Sequence, residues 1–370
     1  MPSVGATQVD ETTRPKGRAA ARRRQMDWLT SAACPWVIVV LFGAVTLLWS
    51  AHVGVGLRDP GGRMFRAKAL SSILLFLALA VVDVVIRTTR GGWSLSELRN
   101  QIATRWAPPR LALLISGILC YHLVYLCYRN MKSWDAFNTP RDHDLLAFDR
   151  WLFFGHSPAS VVHSLFGTSS AMTTGLAHIY EVFANIVSVS IVLAPAFITR
   201  TRRGLVMLTA GMWAWILGTI SYYSIPSLGP AFSAPRDFVA LPHTFITDHV
   251  INYLAQRQAF LANPSDPKTF VSISAFASLH VGLTCMITLM AGYYRKRILT
   301  IVMAVYLVLV MIATIYFGWH FFSDIVAGVV LAVLAVALGH ATVYPASLGR
   351  TLGRALDVVR GRPAERRAAG

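Results

Sequence analysis

Long apolar runs constrain this chain more than any other feature. They cover approximately 35–52, 67–87, 110–130, 174–198, 204–224, 275–294, 298–317 and 320–343. About 20 helical residues cross the hydrocarbon core of a bilayer. Within lipid each run has to satisfy its own backbone, which leaves the helix as its form. Eight membrane spans are therefore expected, in an all-α polytopic membrane protein. The composition fits, with 55% hydrophobic and 14% charged residues against roughly 25% charged in ordinary globular domains. There is no internal repeat and no separate soluble domain.

The formal net charge is +17. In a soluble protein this would point to nucleic acid. Here the arginines and lysines crowd the tails and short loops, which reads as anchoring against anionic headgroups, and no nucleic-acid partner is expected. Arg14, Lys16, Arg18, Arg22, Arg23 and Arg24 sit at the N-terminus. Arg350, Arg354, Arg360, Arg362, Arg366 and Arg367 sit at the C-terminus. The first apolar run carries no cleavage site, so a cleavable signal peptide is not expected. With eight spans, both tails and the basic loops 87–110, 199–203 and 295–297 fall on one side, predicted to be the cytoplasm. The loop holding Arg58, Arg63, Arg66 and Lys68 is the exception, on the outer side. Cys34, Cys120, Cys127 and Cys285 lie in or beside apolar runs without CxxC spacing, and read as small apolar residues.

Two polar loops, 131–173 and 225–274, lie on the outer side. The first contains an amphipathic stretch, Leu145 to Phe154, suited to the membrane surface. The sixth span opens with Phe276-Ala277-Ser278-Leu279-His280-Val281-Gly282, the eighth with Gly318-Trp319-His320-Phe321-Phe322-Ser323-Asp324. His320 and Asp324 are four apart, one helical turn from each other on one face. A carboxylate there orients an imidazole and stabilises positive charge on it. Both spans run inward, so His280, His320 and Asp324 share one depth near the outer surface. Ionisable residues inside spans are costly and point to function. Two alternatives stay open at this level: packing histidines with a structural Asp partner, or a two-His, one-Asp metal site.

Ser-Leu-His followed by His-x-x-x-Asp, each at the start of a span, resembles the type 2 phosphatidic acid phosphatase superfamily. The closer likeness is to its inositolphosphotransferase branch, which includes inositol phosphorylceramide synthase. It covers roughly residues 110–340, and Tyr222-Tyr223-Ser224-Ile225-Pro226-Ser227-Leu228-Gly229-Pro230 looks like that branch's aromatic-Pro-Gly-Pro turn. Tyr128-Arg129-Asn130-Met131-Lys132 and Asp149-Arg150-Trp151-Leu152-Phe153 are similar to it as well. The resemblance implies a six-helix core over 110–345 behind two N-terminal helices in 34–109, flanked by basic cytoplasmic tails at 1–33 and 346–370. It implies His320 as a nucleophile forming phosphohistidine, Asp324 as its orienting partner, and His280 as general acid and then base. No cofactor or metal is implied. Ala277 stands where the family has Pro, and Thr314 where its phosphatases have Arg. Nor is there a clean copy of the phosphatases' Lys and Arg-Pro motif. A dianionic monoester asks for more positive charge than a monoanionic diester, so the missing arginines favour transfer from a phosphodiester.

Arg129 and Lys132, at the outer end of the third span, are the first choice for holding the phosphate. Arg141, Arg150, Arg236 and Lys268 are further candidates, each also readable as a cation snorkelling to headgroups. Ser278 either donates to a phosphate oxygen or caps the sixth helix. Tyr222 belongs to the candidate substrate site. His178 and Glu181, three apart, either line a headgroup pocket or hold helices together. Asp83 has no visible partner. The expected activity is transfer of a phospho-headgroup, such as inositol phosphate, from a phospholipid to a lipid or glycan hydroxyl at the extracytoplasmic face of the plasma membrane. A lipid or polyprenyl phosphate phosphatase is the alternative. A transporter would spread polar residues through the bilayer depth, and a non-catalytic scaffold would tolerate loss of both histidines. Oligomeric state is not legible.

Overall fold

The computed structural model describes residues 14–345, with side chains from residue 32 onward. The C-terminal arginines, and the side chains of the N-terminal ones, lie outside the described residues. Among the described residues there are thirteen α-helices and no strand. They are α1 (Arg14–Val53), α2 (Arg66–Arg90), α3 (Leu95–Arg105), α4 (Pro108–Trp134), α5 (Asp142–Leu152), α6 (Pro158–Phe166) and α7 (Ser170–Phe197). After them come α8 (Thr201–Ser224), α9 (Pro230–Ser233), α10 (Phe245–Ala262), α11 (Leu279–Tyr293), α12 (Arg297–Tyr316) and α13 (Phe322–Val343). Seven are long and apolar enough to cross a membrane: Ala32–Val53 within α1, then α2, α4, α7, α8, α12 and α13.

The expected sixth span is the exception. α11 has 15 residues, about 22 Å at 1.5 Å per residue, short of the roughly 30 Å core. It still runs from the end where α12 finishes to the turn where α12 begins. Residues 271–278, of which 275–278 were expected in that span, are mostly irregular, and their N–H groups find partners on neighbouring elements rather than within a helix of their own. Val271 donates to Ser133 Oγ, Phe276 to Ser227 Oγ and Ala277 to Ser221 Oγ, at 2.9, 3.0 and 2.9 Å. Ala275 and Ser278 donate to the carbonyls of Ser227 and Asp324 at 2.9 and 3.0 Å. Non-helical backbone survives at this depth where protein satisfies it and it borders a cavity.

α8 forms the buried centre, packed between α4 and α13. α11 and α13 cross at two glycines. A Cβ on Gly328 would lie 2.5 Å from the Ser278 carbonyl oxygen, and one on Gly282 would lie 3.2 Å from that of Gly328. This close crossing brings the N-termini of α11 and α13, and both histidines, together.

Asp83 does have partners. Its carboxylate takes Arg87 at 2.9 Å and the buried Arg105 of α3, whose guanidinium also donates to the Ala196 carbonyl at 3.2 Å. The cluster ties α2, α3 and α7 together at the end holding the basic turns. The outer-loop arginine exception has a structural reason too. Arg58 donates to the carbonyls of Pro264, Asp266 and Thr269, fastening the loop after α10.

Candidate active site

The short segment Gly318–Phe321 turns the chain from α12 into α13 and carries His320 on its last turn before the helix. His320 Nδ1 lies 3.3 Å from Asp324 Oδ2, and both side chains are buried. The same carboxylate oxygen accepts the Phe321 N–H at 3.0 Å, so Asp324 closes the first turn of its own helix. The next two orphan N–H groups of α13, from Phe322 and Ser323, are taken by Asp149 on α5 at 2.5 and 3.1 Å. Those bonds hold the Asp149 carboxylate in place, while burial pushes its pKa up.

His280 is the second residue of α11, and Ser278 caps that helix by accepting the Val281 N–H. Its imidazole stacks on Tyr180 and leans on Phe183, each 4.4 Å between ring centroids. The His280 and His320 rings are 5.7 Å apart between centroids. Trp319 lies nearly parallel to Tyr180, at 5.9 Å and 10°.

The turn before α9 joins the two histidine loops. Leu228 and Gly229 donate their N–H groups to Asp142 of α5 at 2.7–3.1 Å. Ser227 accepts from Ala275 and Phe276 on one side, and Ala231 donates to the Gly318 carbonyl on the other. Gly229 has φ of +104°, and a Cβ there would sit 2.6 Å from the Trp319 carbonyl oxygen. Only glycine meets both demands.

Together these elements enclose a chamber of about 450 Å³ bordered by His280 and His320. Arg129 and Lys132 reach it from the last turns of α4. Arg129 donates to Ser272 Oγ at 3.1 Å, and Lys132 Nζ lies 5.2 Å from the Tyr222 ring centroid. Neither forms an ion pair among the described residues, and Arg129 Nε and Trp319 Nε1 are buried donors without a partner. Tyr222 and Glu181 also line the chamber.

Six other expected residues do not. Arg141 pairs with Asp144 at 3.1 Å on the exposed face of α5, and Arg150 is exposed on the same helix. His178 packs against Phe245, 5.6 Å between centroids, and Ser278 is spent on its cap. Arg236 and Lys268 are exposed outside the chamber wall. Thr314, where the resemblance would put an arginine, is buried and donates to the Met311 carbonyl at 2.9 Å, so it brings no charge. Sequence reasoning missed the wall residues Tyr125, Tyr180, His249, Tyr253 and Trp319, and the capping role of Asp149. Among the described residues, no three His, Cys, Asp or Glu side chains gather as a metal set.

Members of the PAP2 superfamily share an all-helical membrane fold and are phosphatases or phosphotransferases, which is what two histidines, a carboxylate and two cations around one chamber are suited to. No curated protein and no solved structure matches the chain. The family model described as PAP2 superfamily matches residues 143–338, just over half of the 370 residues and inclusive of both histidine loops, and the chain belongs to that superfamily.

Proposed function

We propose that this enzyme moves a phospho-headgroup from a phospholipid donor, such as phosphatidylinositol, to a lipid or glycan hydroxyl through a phosphohistidine on His320. The observation that carries this reading is the 5.7 Å approach of the two imidazoles on the wall of one chamber. With Nδ1 turned to Asp324, the opposite ring nitrogen of His320 is the nucleophile. It attacks phosphorus and the bond to the leaving oxygen breaks. His280 gives that oxygen its proton. His280 then takes the proton of the acceptor hydroxyl, whose oxygen attacks phosphorus and breaks the P–N bond. Splitting one displacement into two lowers each barrier. Arg129 and Lys132 stabilise the charge that builds on the phosphoryl oxygens.

Two fixed cations and no third at Thr314 match a monoanionic diester better than a dianionic monoester. The basic turns lie at the end of the helices away from the chamber, which supports a chamber at the extracytoplasmic face and termini in the cytoplasm. The test is incubation of purified protein with labelled phosphatidylinositol, with and without a hydroxylated lipid acceptor. Acceptor-dependent formation of a new phosphodiester is expected. Release of inorganic phosphate from monoesters, with no acceptor dependence, would replace transfer by hydrolysis.

A further inference from the structure

Beside the chamber lies a second cavity of about 190 Å³, set between α2, α4 and α7. The two share Tyr125, Phe183, Ala184 and Trp215 as a common wall. Lys68, Ser71 and Ser72 of α2 line it from one side and His122 of α4 from another. His122 is 5% exposed; its Nε2 is 2.8 Å from Ser72 Oγ, and its Nδ1 is buried with no partner. Lys68 Nζ sits 5.5 Å from the Tyr125 ring centroid and has no carboxylate partner among the described residues. Lys68, Ser71, Ala184 and Ser188 are exposed, so the cavity opens sideways between the outer halves of α2 and α7, where lipid lies. α2 and α4 both precede the segment matched by the superfamily.

A hydrophobic span gains nothing from a lysine, two serines and a half-satisfied histidine around a void. Buried polar groups left unpaired are costly and call for a partner. Lys68 can only donate; the Ser71 hydroxyl already gives its proton to the Lys68 carbonyl at 3.0 Å, and the His122–Ser72 pair keeps one further donor for a partner, on Nδ1 or on Oγ according to the tautomer. Their complement is a cluster of acceptors held next to the phosphate and inside the bilayer.

We infer that this cavity takes the polar backbone of a two-chain lipid, its ester or amide carbonyls, while the phospho-headgroup occupies the chamber. The inference rests on the proposed lipid phosphotransfer. It narrows the donor to a diacyl or ceramide-type phospholipid and away from polyprenyl phosphates, whose hydrocarbon begins at the phosphate and offers these donors nothing. The chains leave through the opening between α2 and α7.

The test uses the full chain in nanodiscs, with phosphatidylinositol and a polyprenyl phosphate as probes. Retained lipid is measured by native mass spectrometry, and turnover of lipid is compared with that of a soluble aryl phosphodiester. Wild type should retain phosphatidylinositol in preference to polyprenyl phosphate. Lys68→Gln, at an exposed position that does not threaten folding, and Ser72→Ala should each lower that retention. The ratio of lipid to soluble-ester turnover should fall about tenfold in both, the size of one lost hydrogen bond to a charged or buried partner. Equal retention of both lipids by wild type, or unchanged retention in both variants, would overturn the assignment even with turnover intact. Selective retention lost in the variants, with no turnover of any ester by wild type, would instead sink the phosphotransfer reading and leave the lipid site standing.

Discussion

At the residue scale, the proposed chemistry is concentrated in His320, and the neighbours fix how it presents itself. Asp324 spends one oxygen on both the imidazole and the Phe321 N–H, so the ring and the helix start are set by a single carboxylate. Asp324→Asn should lower turnover by about 10²–10⁴-fold while the protein stays folded, since the amide misorients the ring without changing its volume. Circular dichroism beside the rate measurement checks this; an Asn variant with wild-type turnover would remove Asp324 from the mechanism. Arg129→Gln and Lys132→Gln should each slow turnover by roughly 10²–10³-fold, as expected for lost stabilisation of developing charge. If either variant keeps the wild-type rate, that cation does not face the reacting phosphate.

At the element scale, the site depends on how α11, α13 and α5 meet. Gly328→Val would push its side chain into the Ser278 carbonyl and part the two helix starts. Activity should fall more than thermal stability, because the apolar faces of both helices remain buried. The Asp83–Arg105 pair should behave in the opposite way. Breaking it by Arg105→Gln leaves a buried carboxylate short of a partner and should cost about 3–5 kcal/mol, read as a lower melting temperature in detergent. The long helices and the meeting of His280, His320 and Asp324 were legible in the chain because helical periodicity and apolar length are local properties. His320 and Asp324 four residues apart, and two histidines opening spans of the same direction, needed no knowledge of neighbours. Arg129, Lys132, Glu181 and Tyr222 were legible as polar or aromatic residues near the outer ends of spans. Arg141 and Arg150 met the same criterion yet face solvent, since charge and depth do not say which way a surface helix turns. Asp149 capping α13 across 173 residues, or Tyr180 stacking on His280, follows only from which helices are neighbours. Spacing does not carry that information. The shortness of α11 was hidden for a related reason: residues 275–278 are as apolar as a helix, and it is Ser221 of α8, Ser227 of the turn after it and the Asp324 carbonyl that make their irregular backbone affordable.

At the scale of the whole molecule, chamber and basic turns occupy opposite ends of one helical bundle. A reporter fused after Gly370 should therefore read as cytoplasmic, and a tag within 235–270 should be reached by a membrane-impermeant reagent from outside. Both on the same side would break the orientation, and with it the outer-leaflet substrate. Between those ends, eight helical segments hold two imidazoles close enough to serve one phosphorus atom. The most direct test of that arrangement is to quench the enzyme during turnover of ³²P-labelled phosphatidylinositol and measure label on the protein. Wild type should carry acid-labile, base-stable label, and His320→Ala should carry none. Equal labelling of His320→Ala and wild type would contradict the phosphohistidine and the account built on it.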